Sequence, residues 1–367
     1  MPKKLLTLIF STIISVSAFY FAFRKVPFAE LMAYLTKIDY FWIPPSVIII
    51  CLAFVIRALR WKIILGDGFD LNFWQAYHPM MIGFMINLIL PGRVGEIARP
   101  TILTKKENVP FSTGFASVIS ERLFDLILLL LLFIITSYCV DISPDLEIVF
   151  GTYHLNKATL ISIQEGMTIL SIILMAGILL ISVNATRSLI VKALEIIPSL
   201  CYIFPESLKH KIKDLIHLIV IRNIENIASG FSFLMHPYRF GICFGLSAII
   251  WGLIALSYYI LALGCPGIDL SIFELSAVMV IVCFFIALPS VPGFWGLWEA
   301  GGIFALTLFN VPVQSAAGYT LTNHLVQLMP IFIAGLLSAI LYSINIFAPS
   351  KDILEEKQLE EHSANII

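Results

Sequence analysis

Long apolar runs separated by short polar stretches dominate this chain. The runs cover residues 5–23, 42–64, 115–140, 167–183, 240–263 and 319–347. Roughly 20 apolar residues at 1.5 Å per residue cross a hydrocarbon core, so each is a candidate spanning helix. Two shorter runs, 76–90 and 274–288, hold 15 residues each, about 22 Å as helix. The first ends at Pro91-Gly92, and the second at Pro289 with Gly293 close behind. The first run has a basic flank, Lys3 and Lys4, as signal peptides do. It is too long for a signal core and has no small-residue cleavage site before Arg24 and Lys25, so a retained first helix is expected.

Charge between the runs orients them. Segment 187–239 carries Arg187, Lys192, Lys209, Lys211, Lys213, Arg222 and Arg239, which places it on the cytoplasmic side. Segment 141–166 has only Lys157 and 264–273 has no basic residue, so both belong outside. The N-terminus and the loop with Arg57, Arg60 and Lys62 belong inside. The loop 93–112, with Arg93, Arg99, Lys105 and Lys106, fits the inside only if run 76–90 dips in and returns. Parity demands the same of 274–310, from outside. Non-helical backbone at membrane depth needs surrounding protein or a watery cavity, so two re-entrant hairpins imply such a cavity. Arg24, Lys25 and Lys37, in the first external loop, run against the bias.

The two hairpins resemble one another. Pro91-Gly92-Arg93-Val94-Gly95 matches Pro292-Gly293-Phe294-Trp295-Gly296 at an offset of 201, and Asn108-Val109-Pro110 matches Asn310-Val311-Pro312 at 202. Glu121-Arg122-Leu123 then aligns with Asn323-His324-Leu325, and Asp125 with Gln327. Hairpins opening from opposite sides make an inverted repeat, an architecture with which many transporters build a midplane site of alternating access.

Composition narrows the class. Apolar residues make up 59% and charged residues 13% of 367, against roughly 45–50% and about 25% in soluble domains. The 23 basic and 24 acidic residues nearly cancel, which argues against nucleic-acid partners. Cys51, Cys139, Cys201, Cys243, Cys265 and Cys283 show no C-x-x-C spacing and read as small buried hydrophobes rather than a disulfide or metal framework. No metalloprotease, P-loop or dinucleotide motif is present, so no metal, cofactor or catalytic residue is expected. Gly245-Leu246-Ser247-Ala248 faintly resembles a serine-nucleophile context, which close-packed helices also produce.

Charges at membrane depth are costly and read as functional or paired. Glu121, Arg122 and Asp125 sit inside an apolar helix, where Arg122 and Asp125 at i,i+3 can pair. They form either a clamp or a substrate site. Arg93, Glu96 and Arg99 follow the first tip. Arg93 would lie at a helix N-terminus, where free N–H groups and a guanidinium fork suit a phosphate; the alternatives are snorkelling or pairing with Glu96 or Glu121. Glu299 is either a protonatable counter-charge or a helix cap, and His324 joins the same region as a hydrogen-bonded residue or a proton relay. Segment 207–234, with Leu208, Ile212, Leu215 and Ile219 beside Lys209, Lys211 and Lys213, reads as an interfacial helix or one packed under the bundle.

The run from Asn87 through Leu90-Pro91-Gly92-Arg93-Val94-Gly95-Glu96 to Arg99, then Glu121-Arg122-Leu123-Phe124-Asp125, resembles the N-x-x-L-P-G-R-x-G-E-x-x-R and E-R-x-x-D motifs of the lysylphosphatidylglycerol synthase transmembrane (flippase-like) family. Leu288-Pro289-Ser290-Val291-Pro292-Gly293 with Gly296 and Glu299 is similar to that family's second motif. Phe294-Trp295 departs from it where a further small residue is usual. The resemblance implies movement of an anionic phospholipid or polyprenyl-linked lipid between leaflets, with Arg93, Glu96, Arg99, Glu121, Arg122, Asp125, Glu299 and His324 as substrate-binding candidates. The expected chain is all-α and polytopic, with about six spanning helices and two re-entrant hairpins in an inverted repeat. Residues 1–347 form the membrane domain, with repeats at about 76–140 and 274–347, and 348–367 a cytoplasmic polar tail. With no aminoacyl-transfer domain after 347, lysyl transfer is not expected. The expected partners are a membrane lipid (anionic phospholipid or polyprenyl phosphate) and a glycosyltransferase or lipid-modifying enzyme, in a bacterial-type inner membrane. The alternatives are an enzyme or accessory subunit of polyprenyl-phosphate sugar transfer and a scaffold without transport.

Overall fold

The computed structural model describes residues 3–24, 26–66, 69–139, 148–150, 153–155, 157–182, 186, 188–189, 191–192 and 237–344. The expected interfacial segment 187–239 falls almost wholly outside them, and the tail 348–367 entirely so. Two units emerge, one drawn from Met1–Phe115 with Gly252–Ile367 and the other from Ala116–Trp251.

The described chain is helical apart from one short hairpin. Helix α1 (Lys3–Phe23) leads to α2 (Phe28–Leu35), a 3-10 turn at Tyr40–Trp42, and α3 (Ile43–Leu65). Then come α4 (Phe73–Ile89), α5 (Gly95–Glu107) and α6 (Phe111–Cys139). Strands β1 (Ile148–Phe150) and β2 (Tyr153–Leu155) pair antiparallel before α7 (Lys157–Ser182), so the expected external loop 141–166 includes a hairpin and the first turns of a helix. The last four helices are α8 (Pro237–Ala262), α9 (Ile272–Ile286), α10 (Leu297–Thr307) and α11 (Val313–Leu341), with a 3-10 turn at Pro292–Phe294 between α9 and α10.

Among the described residues, Tyr238–Ala262 and Val313–Leu341 are long and apolar enough to cross a membrane. Helices α1, α3, α6 and α7 have 21, 23, 29 and 26 residues, which is roughly 30–45 Å of helix. Two of them carry charges within the apolar run, Arg57, Arg60 and Lys62 in α3 and Glu121, Arg122 and Asp125 in α6.

Local chemistry starts and stops these helices. Proline stands at the first positions of α3, where its missing N–H costs nothing. Helix α4 opens on a reciprocal cap: Asn72 Oδ1 accepts from the Gln75 N–H at 3.0 Å, and Gln75 Oε1 accepts from the Asn72 N–H at 2.7 Å. Ser271 and Glu274 repeat this arrangement at the start of α9. Both α6 and α11 have 29 residues, and they begin at Phe111 and Val313, an offset of 202. Left-handed backbone recurs at the same places: Gly92 (φ 81°) and Gly293 (72°), Arg93 (55°) and Phe294 (61°), Asn108 (56°) and Asn310 (58°). The sequence match is therefore also a match of backbone shape.

The core of the first unit is centred on α4. Met80, Met81, Ile82 and Met85 are wholly buried against α5 and α11. Helices α9 and α10 form a second close pair, with α1 on α10 and α11 along both pairs.

Candidate functional site

The first break lies between α4 and α5. Leu90 leaves the helix extended, Pro91 prevents its continuation, and Gly92 and Arg93 take left-handed conformations before α5 starts at Gly95. The two helices close on each other through Gly83 and Gly95. A Cβ on Gly95 would collide with the Gly83 carbonyl and the Asn87 side chain, and one on Gly83 with the Arg99 side chain. The seat for an anion expected at the α5 N-terminus is already used. Asn87 Oδ1 accepts from the Gly95 N–H at 2.7 Å, and the Glu96 and Ala98 N–H groups turn back to the Arg93 and Val94 carbonyls. An asparagine at the end of α4 thus satisfies one of the donors that a helix start otherwise leaves open, and local carbonyls take others.

The second break is built around a buried acid. Glu299 is fully buried; its Oε2 accepts from the Gly296 N–H at 2.7 Å, capping its own helix α10, while Oε1 lies 2.5 Å from His324 Nδ1. His324 Nε2 lies 2.9 Å from the Gly293 carbonyl, which only accepts, so Nε2 carries a hydrogen. One further proton bridges Nδ1 and Oε1, and the pair is net neutral whichever atom holds it. The imidazole stacks on Trp298 at 4.6 Å and meets Trp295 at 4.5 Å. Both oxygens of Glu299 and both nitrogens of His324 are engaged in holding residues 293–299 to α11.

The two breaks touch. Arg93, exposed at the first tip, donates from Nη2 to the Ile286 carbonyl at the end of α9, at 3.1 Å. The turn Pro292–Phe294 packs on α4, and a Cβ on Gly293 would lie 3.7 Å from the Leu88 carbonyl. A guanidinium has five N–H donors, and Arg93 makes one hydrogen bond among the described residues, so its fork is open to an incoming oxyanion.

Arg99 takes a different course. It is 1% exposed, with its guanidinium 4.3 Å over the Trp61 ring and 5.2 Å over Phe84. Arg57 approaches Phe84 from α3 at 5.8 Å, and Arg60 is fully buried. The expected inner loop with Arg57, Arg60 and Lys62 is instead the last turns of α3, where the Phe84 ring receives the Arg57 cation. Glu96 is half-buried in the first turn of α5. The sequence reading missed Trp61 and Phe84, whose only sign is the placing of aromatic residues near arginines on neighbouring helices.

Within the second unit, Arg122 reaches Glu121 at 3.6 Å and Asp125 at 3.8 Å, with Glu121 fully buried. The Arg122–Asp125 contact follows the i,i+3 spacing on one helix face. On α11, Thr320, Asn323 and Gln327 join His324 as buried polar groups. Gln327 donates to Ser257 Oγ at 3.3 Å, and Ser257 Oγ lies 2.8 Å from Ser46 Oγ, a polar chain through α11, α8 and α3. Among the described residues, no three His, Cys, Asp or Glu side chains gather as metal ligands.

The chain is 25% identical over 281 residues to the UPF0104 membrane protein MJ1595 of Methanocaldococcus jannaschii, covering 74% of this chain and 76% of that protein. It is 26% identical over 284 residues to MJ1078 of the same organism, covering 76% and 99%. A shorter similarity, 27% over 100 residues, links it to the glycosyltransferase AglD of Haloferax volcanii, covering 27% of this chain and 16% of that protein. No solved structure matches. A family model for the lysylphosphatidylglycerol synthase TM region matches residues 8–335, a stretch that contains both Pro-Gly breaks and the Glu299–His324 pair. The chain is thus a membrane protein and belongs to the lysylphosphatidylglycerol synthase TM region family.

Proposed function

We propose that this protein moves an anionic lipid, a phospholipid or a polyprenyl phosphate, between leaflets, and that Arg93 grips the headgroup. The observation that carries this reading is the open guanidinium of Arg93 at a broken-helix tip that touches the second break. The matching backbone of the two breaks supports an inverted repeat of re-entrant hairpins in a multi-pass inner-membrane protein, whose tips meet at depth. A headgroup crossing roughly 30 Å of hydrocarbon must exchange water for protein partners there. Glu299 and His324 hold the second tip in shape, a positioning role. The family's association with a lipid synthase supports a lipid substrate, and nothing in this reading calls for nucleotide, metal or catalysis.

The test is reconstitution of the purified protein alone into liposomes, followed by dithionite reduction of inner-leaflet fluorescent lipid. Wild-type protein should speed the reduction without nucleotide. Arg93→Ala should fold and lose this activity, and Arg93→Lys should recover part of it, because it keeps the charge without the fork. Normal transport by folded Arg93→Ala protein would remove Arg93 from the reaction. A second reading, accessory to polyprenyl-linked sugar transfer, is favoured by the similarity to AglD. It would prevail if the protein moved no lipid alone yet stimulated a glycosyltransferase.

A further inference from the structure

A groove of about 480 Å³ runs beside α1, walled by Val16, Phe19, Tyr20 and Phe23 on one side and by Val291 and Trp295 of the second break on the other. Its α1 positions, from 15 to 23, lie on one face of the helix and extend about 12 Å along it. Ser15 closes the far end, where its hydroxyl accepts from the Val291 N–H at 3.0 Å. The groove is apolar along its length and cationic at one end. Arg24, the first residue beyond α1, is exposed there with its guanidinium 4.9 Å over the Phe21 ring. In a membrane protein such a helix end lies where headgroups begin.

We infer that this groove seats one hydrocarbon chain of an anionic membrane lipid, with the Arg24 guanidinium on the headgroup phosphate. The apolar wall matches the chain, and the planar fork matches the phosphate oxygens. The position of Arg24 gives a reason for a basic residue on the side where the charge bias calls for few. Trp295 forms part of the wall and also meets His324 at 4.5 Å, so an occupied groove packs against the ring that covers the Glu299–His324 pair. The site is separate from Arg93 and stands whether or not that residue carries lipid across.

The experiment uses the full chain in phosphatidylcholine nanodiscs with a trace of diazirine-tailed phosphatidylglycerol, or of phosphatidylcholine bearing the same tail, and maps crosslinked peptides by mass spectrometry. Label should concentrate on residues 15–24 and 291–295. Phosphatidylglycerol should exceed phosphatidylcholine there about five-fold, the ratio given by ~1 kcal/mol for one basic residue beside an anionic lipid. Arg24→Gln should bring the two lipids level, and Val16→Trp, which fills the groove, should remove label from both while the protein still elutes as one species. Label spread evenly over other exposed apolar positions, such as Leu337 and Ile340 of α11, would overturn the inference. So would groove label indifferent to headgroup and to Arg24→Gln. Because the readout is binding, its failure is distinct from failure of the transport assay.

Discussion

Replacing His324 with alanine should be among the most damaging single changes in the first unit, and the geometry says by how much. The substitution leaves Glu299 with the Gly296 N–H on Oε2 and nothing on Oε1, in a site with no exposure. Removing one partner of a buried charge pair costs about 3–5 kcal/mol. The stacking on Trp298 and the hydrogen bond to Gly293 disappear as well. Glu299→Ala should be comparably severe, since it strands the His324 Nδ1 side and uncaps α10. Glu299→Gln should cost only about 1 kcal/mol. Its carboxamide oxygen still accepts from Gly296, and its NH2 can donate to Nδ1 of a neutral imidazole whose Nε2–H stays on Gly293. The assay is unfolding followed by tryptophan fluorescence, for which Trp295 and Trp298 flank the pair, with unfolding half-lives where melting is irreversible. At about 2 °C per kcal/mol for a large domain, His324→Ala should lower Tm by about 6 °C or more. The double Glu299→Ala, His324→Ala protein should lose much less than the sum of the singles. A His324→Ala protein that melts within about 2 °C of wild type, or strict additivity in the double variant, would refute the shared-proton pair.

Further outcomes follow from the packing and the topology. Gly95→Ala should destabilise by at least about 1–3 kcal/mol, because backbone rather than a flexible side chain blocks the new methyl group; unchanged thermal stability would contradict the close approach of α4 and α5. In a background lacking native cysteines, single cysteines at positions 105 and 211 should label from one side of the membrane and at 152 from the other. An impermeant reagent added outside cells that reaches 105 but not 152 would make the first hairpin a true crossing. Burial pushes the Cys265 thiol, in the loop between α8 and α9, up to about 12, so it should resist alkylation at pH 8 until the protein unfolds. The folded value lies above the unfolded one, so this residue leaves stability unchanged below about pH 8.5 and lowers it as pH rises from there toward 12.

The breaks were legible because proline and glycine act locally. Pro91-Gly92 and Pro292-Gly293 announce a helix stop without any knowledge of neighbours, and the offset of about 201 announces that the stop is duplicated. The Arg122–Asp125 pairing was legible for the same reason, as a spacing of three on one helix. What depended on other elements was not. Arg57 read as a marker of a cytoplasmic loop, because charge bias counts cations and cannot see the Phe84 ring of α4 packing over its guanidinium, just as it cannot see Trp61 packing over Arg99. The α5 N-terminus read as an open anion seat because the Asn87 side chain reaches it only after the chain has turned back on itself. Glu299 and His324, 25 residues apart, were assigned to one region by alignment, yet their direct contact required α10 to fold back on α11.

Gly92-Arg93 and Gly293-Phe294 share one left-handed backbone shape and differ by a full charge. At both tips the glycine and the turn maintain the contour, so the next side chain is free to differ. An exchange of residue types, Arg93→Phe with Phe294→Arg, therefore keeps both contours and moves the cation to the other half of the molecule. Which tip carries the cation is thus set by one side chain and not by the contour that presents it.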